Sequence, residues 1–345
     1  QYWNNRDFKM KLIESKNNEN LVEEYIELFR ELYKDDFRLD SQIKTIKKSF
    51  SKNNPFYKNG TTKNFLVMKN NKPIGHCTAI IDKRIINKGF IGFYDCVKDE
   101  EVNTFLLRSA VNWLKQNKCK TICGPINLTI WHNYRFIQEI MKTPEIFDPF
   151  SKEYYNIFWE KFGFIKSEKY VSAKRTNFDY VITPSNKAME SFKKNKFIIR
   201  NFNKKNPTND LRIIMNLSNE IFLKSWNFVK IDFSEFFYLY KDLLPIIQKE
   251  NINIVENQKK EPVGFCFNLP NPYNKSQIIL KTIGVLKEYR RLGVASALLN
   301  YCHKNAKKLG FKEYYYPLIR VGNNVTKFPY EGYEIITKYS TYELK

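Results

Sequence analysis

The chain has 345 residues, too many for one ordinary domain, so two domains of ordinary size are expected. Its 43% hydrophobic residues supply two cores, while no run of about 18 apolar residues exists, which excludes a membrane-spanning helix. The balance is strongly basic, 58 Lys and Arg against 36 Asp and Glu for a net charge of +22, over a polar surface with a mean hydropathy of −0.53.

The first residues, 1–16, are charged and broken, so they do not read as the apolar stretch of a secretion signal, and the missing initiator Met implies that a few residues precede them. Residues 20–34 place Leu21, Tyr25, Leu28 and Leu32 on one helical face. Phe65-Leu-Val-Met-Lys-Asn-Asn-Lys-Pro-Ile-Gly-His76 then reads as an apolar strand, a polar turn and a second strand opened by Pro-Ile-Gly. A strand over 90–97 and an amphipathic helix over 103–118 follow. Residues 124–150 are irregular and hold three prolines, and Trp159-Glu-Lys-Phe-Gly-Phe164 closes this half.

The second half repeats the order. A polar, basic join over 185–205 leads into a strand over 197–202, then a helix over 210–225 with Leu211, Ile214, Leu217 and Ile221 on one face. Ile254-Val-Glu-Asn-Gln-Lys-Lys-Glu-Pro-Val-Gly-Phe265 echoes the first hairpin, and Phe328-Pro-Tyr-Glu-Gly-Tyr333 echoes 159–164. A strand over 277–286, a helix over 294–309 and a strand over 312–320 lie between. The echoes are more widely spaced in the first half, as in a duplicated domain with an insertion over 124–150. The expected fold class is α/β (α+β), helices packed on mixed sheets, divided as 1–188 and 189–345.

The passage richest in chemistry is Lys281-Thr-Ile-Gly-Val-Leu-Lys-Glu-Tyr-Arg-Arg-Leu-Gly-Val-Ala-Ser-Ala-Leu-Leu299, a strand running through a basic turn into a helix that opens on small residues. Free N–H groups and the helix dipole at such a start favour a pyrophosphate, with Arg290 and Arg291 beside it. Gly293 leaves room for a ligand to approach the backbone. A dinucleotide fold would need Gly-x-Gly-x-x-Gly with a later carboxylate, and a phosphate-binding P-loop would need Gly-Lys-Ser or Gly-Lys-Thr; both are absent.

This passage resembles motif A of the GNAT acyltransferases, Gln/Arg-x-x-Gly-x-Gly/Ala, with Arg290, Gly293 and Ala295 in register, and the surrounding elements fit the family order over about 150 residues. The resemblance implies two tandem GNAT-like domains, each a mixed, mostly antiparallel sheet flanked by helices. It implies N-acyl transfer from acyl-CoA, acetyl-CoA or another pantetheine thioester to a small-molecule or peptide amine. Val285, Leu286, Lys287, Arg290, Arg291, Leu292, Gly293, Val294, Ala295, Ser296 and Asn323 would then hold the donor. A backbone N–H near 285–287 would polarise the thioester carbonyl. The second echo departs from the family's Tyr-Glu-Lys-Leu-Gly-Phe by placing Phe328 where a Tyr is usual. Tyr330 is the candidate acid, and Asn323 and Asn324 read equally as turn formers. The strand over 277–286 carries no Asp or Glu, which leaves the general base unassigned. At the matching place the first half reads Lys98-Asp-Glu-Glu-Val, whose acids would repel a pyrophosphate; it is expected to have lost donor binding.

Residues 124–135 and Trp226-Asn-Phe-Val read either as faces toward the acceptor or as ordered structural loops. His303, on the helix after motif A, is expected at the surface, and His76 in a strand core; no Ser-His-Asp set or metal site is expected. Six cysteines without paired spacing read as reduced core thiols, with no metal and a cytoplasmic location. The excess charge fits a polyanion, with tRNA as a candidate partner and an acyl carrier protein as an alternative donor carrier. An A/T-rich genome would raise Lys, Asn, Ile, Phe and Tyr together without any such partner. A non-catalytic acyl-CoA-binding role stays open, since the motif-B Tyr is missing.

Overall fold

Both hairpins read from the sequence are present, and each leads into a strand, a long helix and a further strand parallel to the first. The computed structural model describes residues 2–3, 10–16, 21–141, 143–182, 186–322 and 332–345. The chain divides into a first unit of Gln1–Ile140, Asp148–Lys169 and Lys338–Lys345, and a second of Met141–Phe147 and Tyr170–Thr337. A join at 188/189 would fall inside the second unit, because the strand Ile165–Arg175 already pairs there from Tyr170 onward.

The first unit contains β1 (Tyr2–Trp3), β2 (Met10–Lys16), α1 (Val22–Leu32), α2 (Leu39–Phe50), β3 (Gly60–Lys69), β4 (Lys72–Asp82), β5 (Lys88–Cys96), α3 (Glu100–Gln116), β6 (Thr121–Gly124), β7 (Phe136–Ile140), α4 (Glu153–Phe162) and the start of β8 (Ile165–Arg175). Its strands follow the order β1-β2-β3-β4-β5-β6, and the end of the chain pairs beside β6 through Tyr342 opposite Gly124. Among the described pairings within β2–β6, only β5 with β6 is parallel. Val102, Leu106, Leu107, Ala110 and Leu114 recur at helical spacing on α3 and are buried against Phe65, Val67, Cys77, Ala79 and Ile91 of the sheet. Each fully buried side chain of the Val, Leu or Phe kind contributes about 1.5–3 kcal/mol, which fixes α3 on that face.

The second unit contains α5 (Asp179–Ile182), α6 (Asn186–Lys194), β9 (Ile198–Asn201), α7 (Pro207–Ile221), α8 (Phe233–Tyr240), β10 (Ile252–Glu256), β11 (Pro262–Asn271), β12 (Asn274–Val285), α9 (Val294–Lys308), β13 (Glu313–Arg320) and the start of β14 (Tyr333–Leu344). Its strand order is β8-β13-β12-β11-β10-β9, antiparallel except for β12 with β13. Helix α7 starts at Pro207, three residues before the expected 210, because Asn206 caps it, its side chain accepting from Asn209 N at 3.3 Å, and Pro207 suits the first turn. Val294, Ala297, Leu298, Cys302 and Ala306 are the buried stripe of α9.

Both sheets are mixed and mostly antiparallel with helices alongside, as the sequence led us to expect. No described helix is long and apolar enough to cross a membrane.

Candidate functional site

In the second unit β12 leaves one neighbour while keeping the other. It pairs with β13 only at Gln277, Ile278 and Ile279, then continues along β11 as far as Val285 opposite Gly264. Lys281, Thr282 and Ile283 are half-buried where the strands have parted, between the buried Leu280 and Gly284. Leu286 N donates to Val263 O at 2.9 Å. Antiparallel pairing alternates, so the intervening residues Val285 and Ile283 turn their N–H and C=O groups away from β11, toward the parted edge.

The turn that follows prepares an anion site. Residues Lys287–Tyr289 form a single tight turn, Arg290 is extended, and Arg291 and Gly293 take positive φ values of 66° and 84°. Gly293 is the N-cap of α9 and brings no capping side chain. The first-turn N–H groups of Val294, Ala295 and Ser296 therefore have no acceptor among the described residues, and the dipole of α9 points its positive end at the same place. Arg290 and Arg291 are exposed beside it, and Arg290 Nε donates to Val285 O at 3.3 Å. Leu286 O accepts from Tyr289 N, and Leu286 N is already committed to Val263. Among the backbone groups expected to meet a donor near 285–287, both groups of Leu286 are thus committed, while the N–H of Val285 is turned outward.

Gly293 has an additional reason to be glycine. A Cβ there would lie 2.0 Å from the carbonyl oxygen of Ala188 on α6, and its φ is left-handed. The chain's own packing, and not only the approach of a ligand, excludes a side chain at this position. Asn323, Asn324, Phe328 and Tyr330 lie outside the described residues.

The first unit repeats these landmarks in register. Val97 N donates to Ile74 O at 3.0 Å, as Leu286 N does to Val263 O, and Cys96 lies opposite Gly75 as Val285 lies opposite Gly264. Strand β5 parts from β6 after Phe90 opposite Cys123. Here, however, the parted edge is occupied by the unit itself. Ile126 N donates to Ile91 O at 2.9 Å, and Asn127 Oδ1 accepts from Phe93 N at 2.7 Å. Cys96 N donates to the Tyr155 hydroxyl at 3.2 Å, and the Tyr154 hydroxyl donates to Cys96 O at 2.8 Å. A Cβ on Gly92 would meet Ile126 O at 1.9 Å, so that glycine serves the same close approach. Part of the irregular segment 124–135 thus acts as an edge-filling loop of its own unit.

Asp99 completes the contrast. Its carboxylate caps α3, accepting from Glu101 N at 2.9 Å and Val102 N at 3.3 Å, and Glu100 and Glu101 are exposed beside it. Two of the three first-turn donors that α9 leaves open are used in α3, and the local charge is negative.

The same strand β5 carries a group that sequence reasoning missed. Asp95 is buried and accepts from the hydroxyls of Tyr25 at 2.8 Å, Tyr33 at 2.8 Å and Tyr155 at 3.2 Å, beside a cavity of about 30 Å³, room for one water. Burial outweighs the three donors and pushes its carboxyl up to about 7. His76 stacks on Tyr25 at 4.0 Å and is lowered to about 4 by burial. An acid among apolar strand residues was the available signal; the tyrosines come from elements far away in sequence.

His303 is not at the surface. It is fully buried, with Nδ1 2.7 Å from Leu299 O, Nε2 2.6 Å from the Tyr316 hydroxyl, and its ring stacked on Tyr314 at 4.1 Å. It lies one turn after Leu299 and one residue after Cys302, on the stripe that faces the sheet, and burial lowers it to about 3. All six cysteines are free and buried, and burial raises the thiols of Cys77 and Cys96, away from nucleophilic use. Among the described residues no group of three or more His, Cys, Asp or Glu is placed to hold a metal.

Comparison with known proteins bears on the same region. Residues 212–325, which span the parted strand and the open helix start, match the Acetyltransferase (GNAT) family. These residues form a GNAT domain. Across its length the chain shares the GNAT fold of solved proteins. A tandem GNAT protein from the clavulanic acid biosynthesis pathway aligns with a TM-score of 0.59 at 9% identity, covering 97% of this chain and 98% of that one. A GCN5-related N-acetyltransferase from Sphaerobacter thermophilus gives 0.55 at 12% identity, covering 96% and 95%. In sequence the chain is 26% identical to protein YghO of Escherichia coli K12 over 204 residues, 57% of this chain. The matched part spans about half of YghO, 52% of its length. Family and fold together support an acyltransferase.

Proposed function

We propose that the second unit transfers an acyl group from acyl-CoA or acetyl-CoA to a small-molecule or peptide amine, and that the first unit has lost donor binding. The observation that carries this reading is the contrast between two edges in one register. The N–H groups of Val294, Ala295 and Ser296, the N–H of Val285 and the outward groups of Ile283 have no partner among the described residues of the second unit, where the Val285 carbonyl meets Arg290 Nε. Their counterparts in the first are filled by Asp99, Asn127, Ile126, Tyr154 and Tyr155.

The donor's pyrophosphate would sit at the start of α9 between Arg290 and Arg291, with Leu292 and Lys287 flanking the turn. The pantetheine arm would run back along β12, exchanging hydrogen bonds with Val285 and Ile283. This brings the thioester toward the place where β12 and β13 part. An outward N–H of β12 then stabilises the oxyanion formed when a neutral amine attacks the carbonyl carbon. The intermediate collapses with loss of the thiolate, which takes a proton; Tyr330 is the proposed source. Water carries the amine's proton away, since β12 holds no carboxylate.

The decisive experiment is thermal stabilisation of the protein by CoA, acetyl-CoA, an acyl carrier protein and aminoacyl-tRNA. Stabilisation by CoA, with acyl transfer to an amine, supports the reading. Stabilisation by aminoacyl-tRNA alone, which the net charge of +22 favours, would replace the donor, and binding without transfer would make the protein an acyl-CoA sensor. No shift with any of the four defeats it. The proposed donor and the six free cysteines support a cytoplasmic location as part of this reading.

A further inference from the structure

Resting on the reading that the second unit acylates an amine, we infer that Lys281 selects an acceptor bearing a carboxylate beside an apolar body, of the kind found in an aromatic amino acid. Lys281 is the extra residue of a bulge in β12: Phe267 faces Thr282 and Asn268 faces Leu280, which leaves it without a ladder partner. Bulges redirect side chains, and this one lies two residues past the last β12–β13 pair, at the point of parting. Four residues at about 3.3 Å each place it roughly 13 Å up the strand from Val285, in the direction the donor arm would run.

Its surroundings are aromatic. The ammonium lies 5.1 Å from the Phe147 ring centre and 5.4 Å from that of Tyr240, and Tyr240 packs on Phe236 at 4.5 Å and Phe267 at 6.1 Å. These rings hold the cation without neutralising it. No carboxylate among the described residues forms an ion pair with Lys281; Glu145 and Glu313 are both engaged by Lys174, and Glu313 also accepts from Gln277 at 2.6 Å. A half-buried cation with no counter-ion among the described residues, set in an aromatic slot beside the thioester's expected position, is satisfied by an anionic group on the acceptor. It also disfavours an approaching amine that is still protonated.

The test compares N-acetylphenylalanine with N-acetylphenylalaninamide as product mimics. Binding to the CoA-loaded protein is read by ligand-observed NMR, in the wild type, Lys281→Met and Lys281→Arg. The carboxylate form is expected to bind about tenfold more tightly or better, with the preference lost in Lys281→Met and kept in Lys281→Arg, as for a charge-assisted contact. Lys281→Met retains the apolar stem, and its CoA affinity should equal that of the wild type. Equal binding of the two mimics, binding of neither, or a preference that survives Lys281→Met overturns the inference while leaving donor binding in place. Failure of the wild type to bind CoA overturns the underlying reading instead, and the inference with it.

Discussion

Ala295→Glu separates donor binding from folding better than any change at Gly293. Ala295 is the second residue of α9, exposed, and one of three whose N–H groups face the proposed pyrophosphate. A glutamate in the first turn interacts favourably with the helix dipole, by about 0.3–1 kcal/mol, so the ligand-free protein should melt no lower than the wild type. The same carboxylate would stand about 5 Å from a pyrophosphate carrying roughly two charges. At an effective dielectric constant of about 40 the repulsion is roughly 3 kcal/mol, about a hundredfold in affinity. With acetyl-CoA at about 100 times the wild-type Kd, the wild type gains about 2.7 kcal/mol and a melting shift of about 5–10 °C. The variant at the same concentration should shift by about 1 °C. A full shift in Ala295→Glu would refute the placement of the pyrophosphate at this helix start.

Asp99→Ala removes the cap of α3 and should cost about 1 kcal/mol in a denaturant titration while leaving CoA affinity unchanged; a matching loss of affinity would mean that the first unit also binds donor. Gly293→Ala forces a side chain into left-handed backbone against Ala188 O, so it should lower the melting temperature without any ligand, by several degrees; no change would mean that α6 does not hold that position. Asp95→Asn tests the buried acid through pH. Because the folded carboxyl titrates near 7 and the unfolded one near 3.8, the wild type binds more protons when folded between those values. Its stability relative to Asp95→Asn should fall by up to about 1.4 kcal/mol per unit as pH rises through that window, then level off above about 7. His76, His132 and His303, lowered to about 4, 4 and 3 by burial, act oppositely below their usual 6.5 in both proteins and cancel in the difference. A relative stability that is flat or rising with pH contradicts the raised value.

Elements whose signal is local were legible from residue order. The hairpins at Pro73 and Pro262, the stripe of α9 and the turn at Arg290–Ser296 all rest on patterns within about 20 residues, and their ends moved by only a few positions. What escaped depends on long-range closure. The phenols of Tyr25, Tyr33 and Tyr155 converge on Asp95 from α1, its C-terminal cap and α4, and no spacing rule links them. His303 was misplaced because a polar residue on a helix reads as solvent-facing, whereas Tyr316, thirteen residues on, supplies the partner that permits its burial. Gly293 was read through the ligand alone, and the carbonyl of Ala188 that also demands it comes from a helix whose packing the sequence does not announce.

Duplication gives the proposed site an internal control. Two copies of one strand-turn-helix unit share their backbone rungs to the residue: Cys96 with Val285, Val97 with Leu286, Gly75 with Gly264. A backbone edge left open by the splaying of two parallel strands carries buried or half-buried polar groups that must find partners. In the first copy Ile91 O, Phe93 N and both groups of Cys96 are matched to a side chain or loop of the same unit. On the proposed reading such matching takes the place of the donor, and Asp99 and Glu100 stand at the helix start where the second copy has glycine and arginine. In the second copy the Arg290 side chain meets the Val285 carbonyl, while the first-turn N–H groups of α9 and the outward N–H of Val285 have no partner among the described residues. The two states of one architecture are what self-satisfaction and ligand satisfaction of the same edge predict. Ala295→Glu and Asp99→Ala, measured side by side, distinguish them in a single protein.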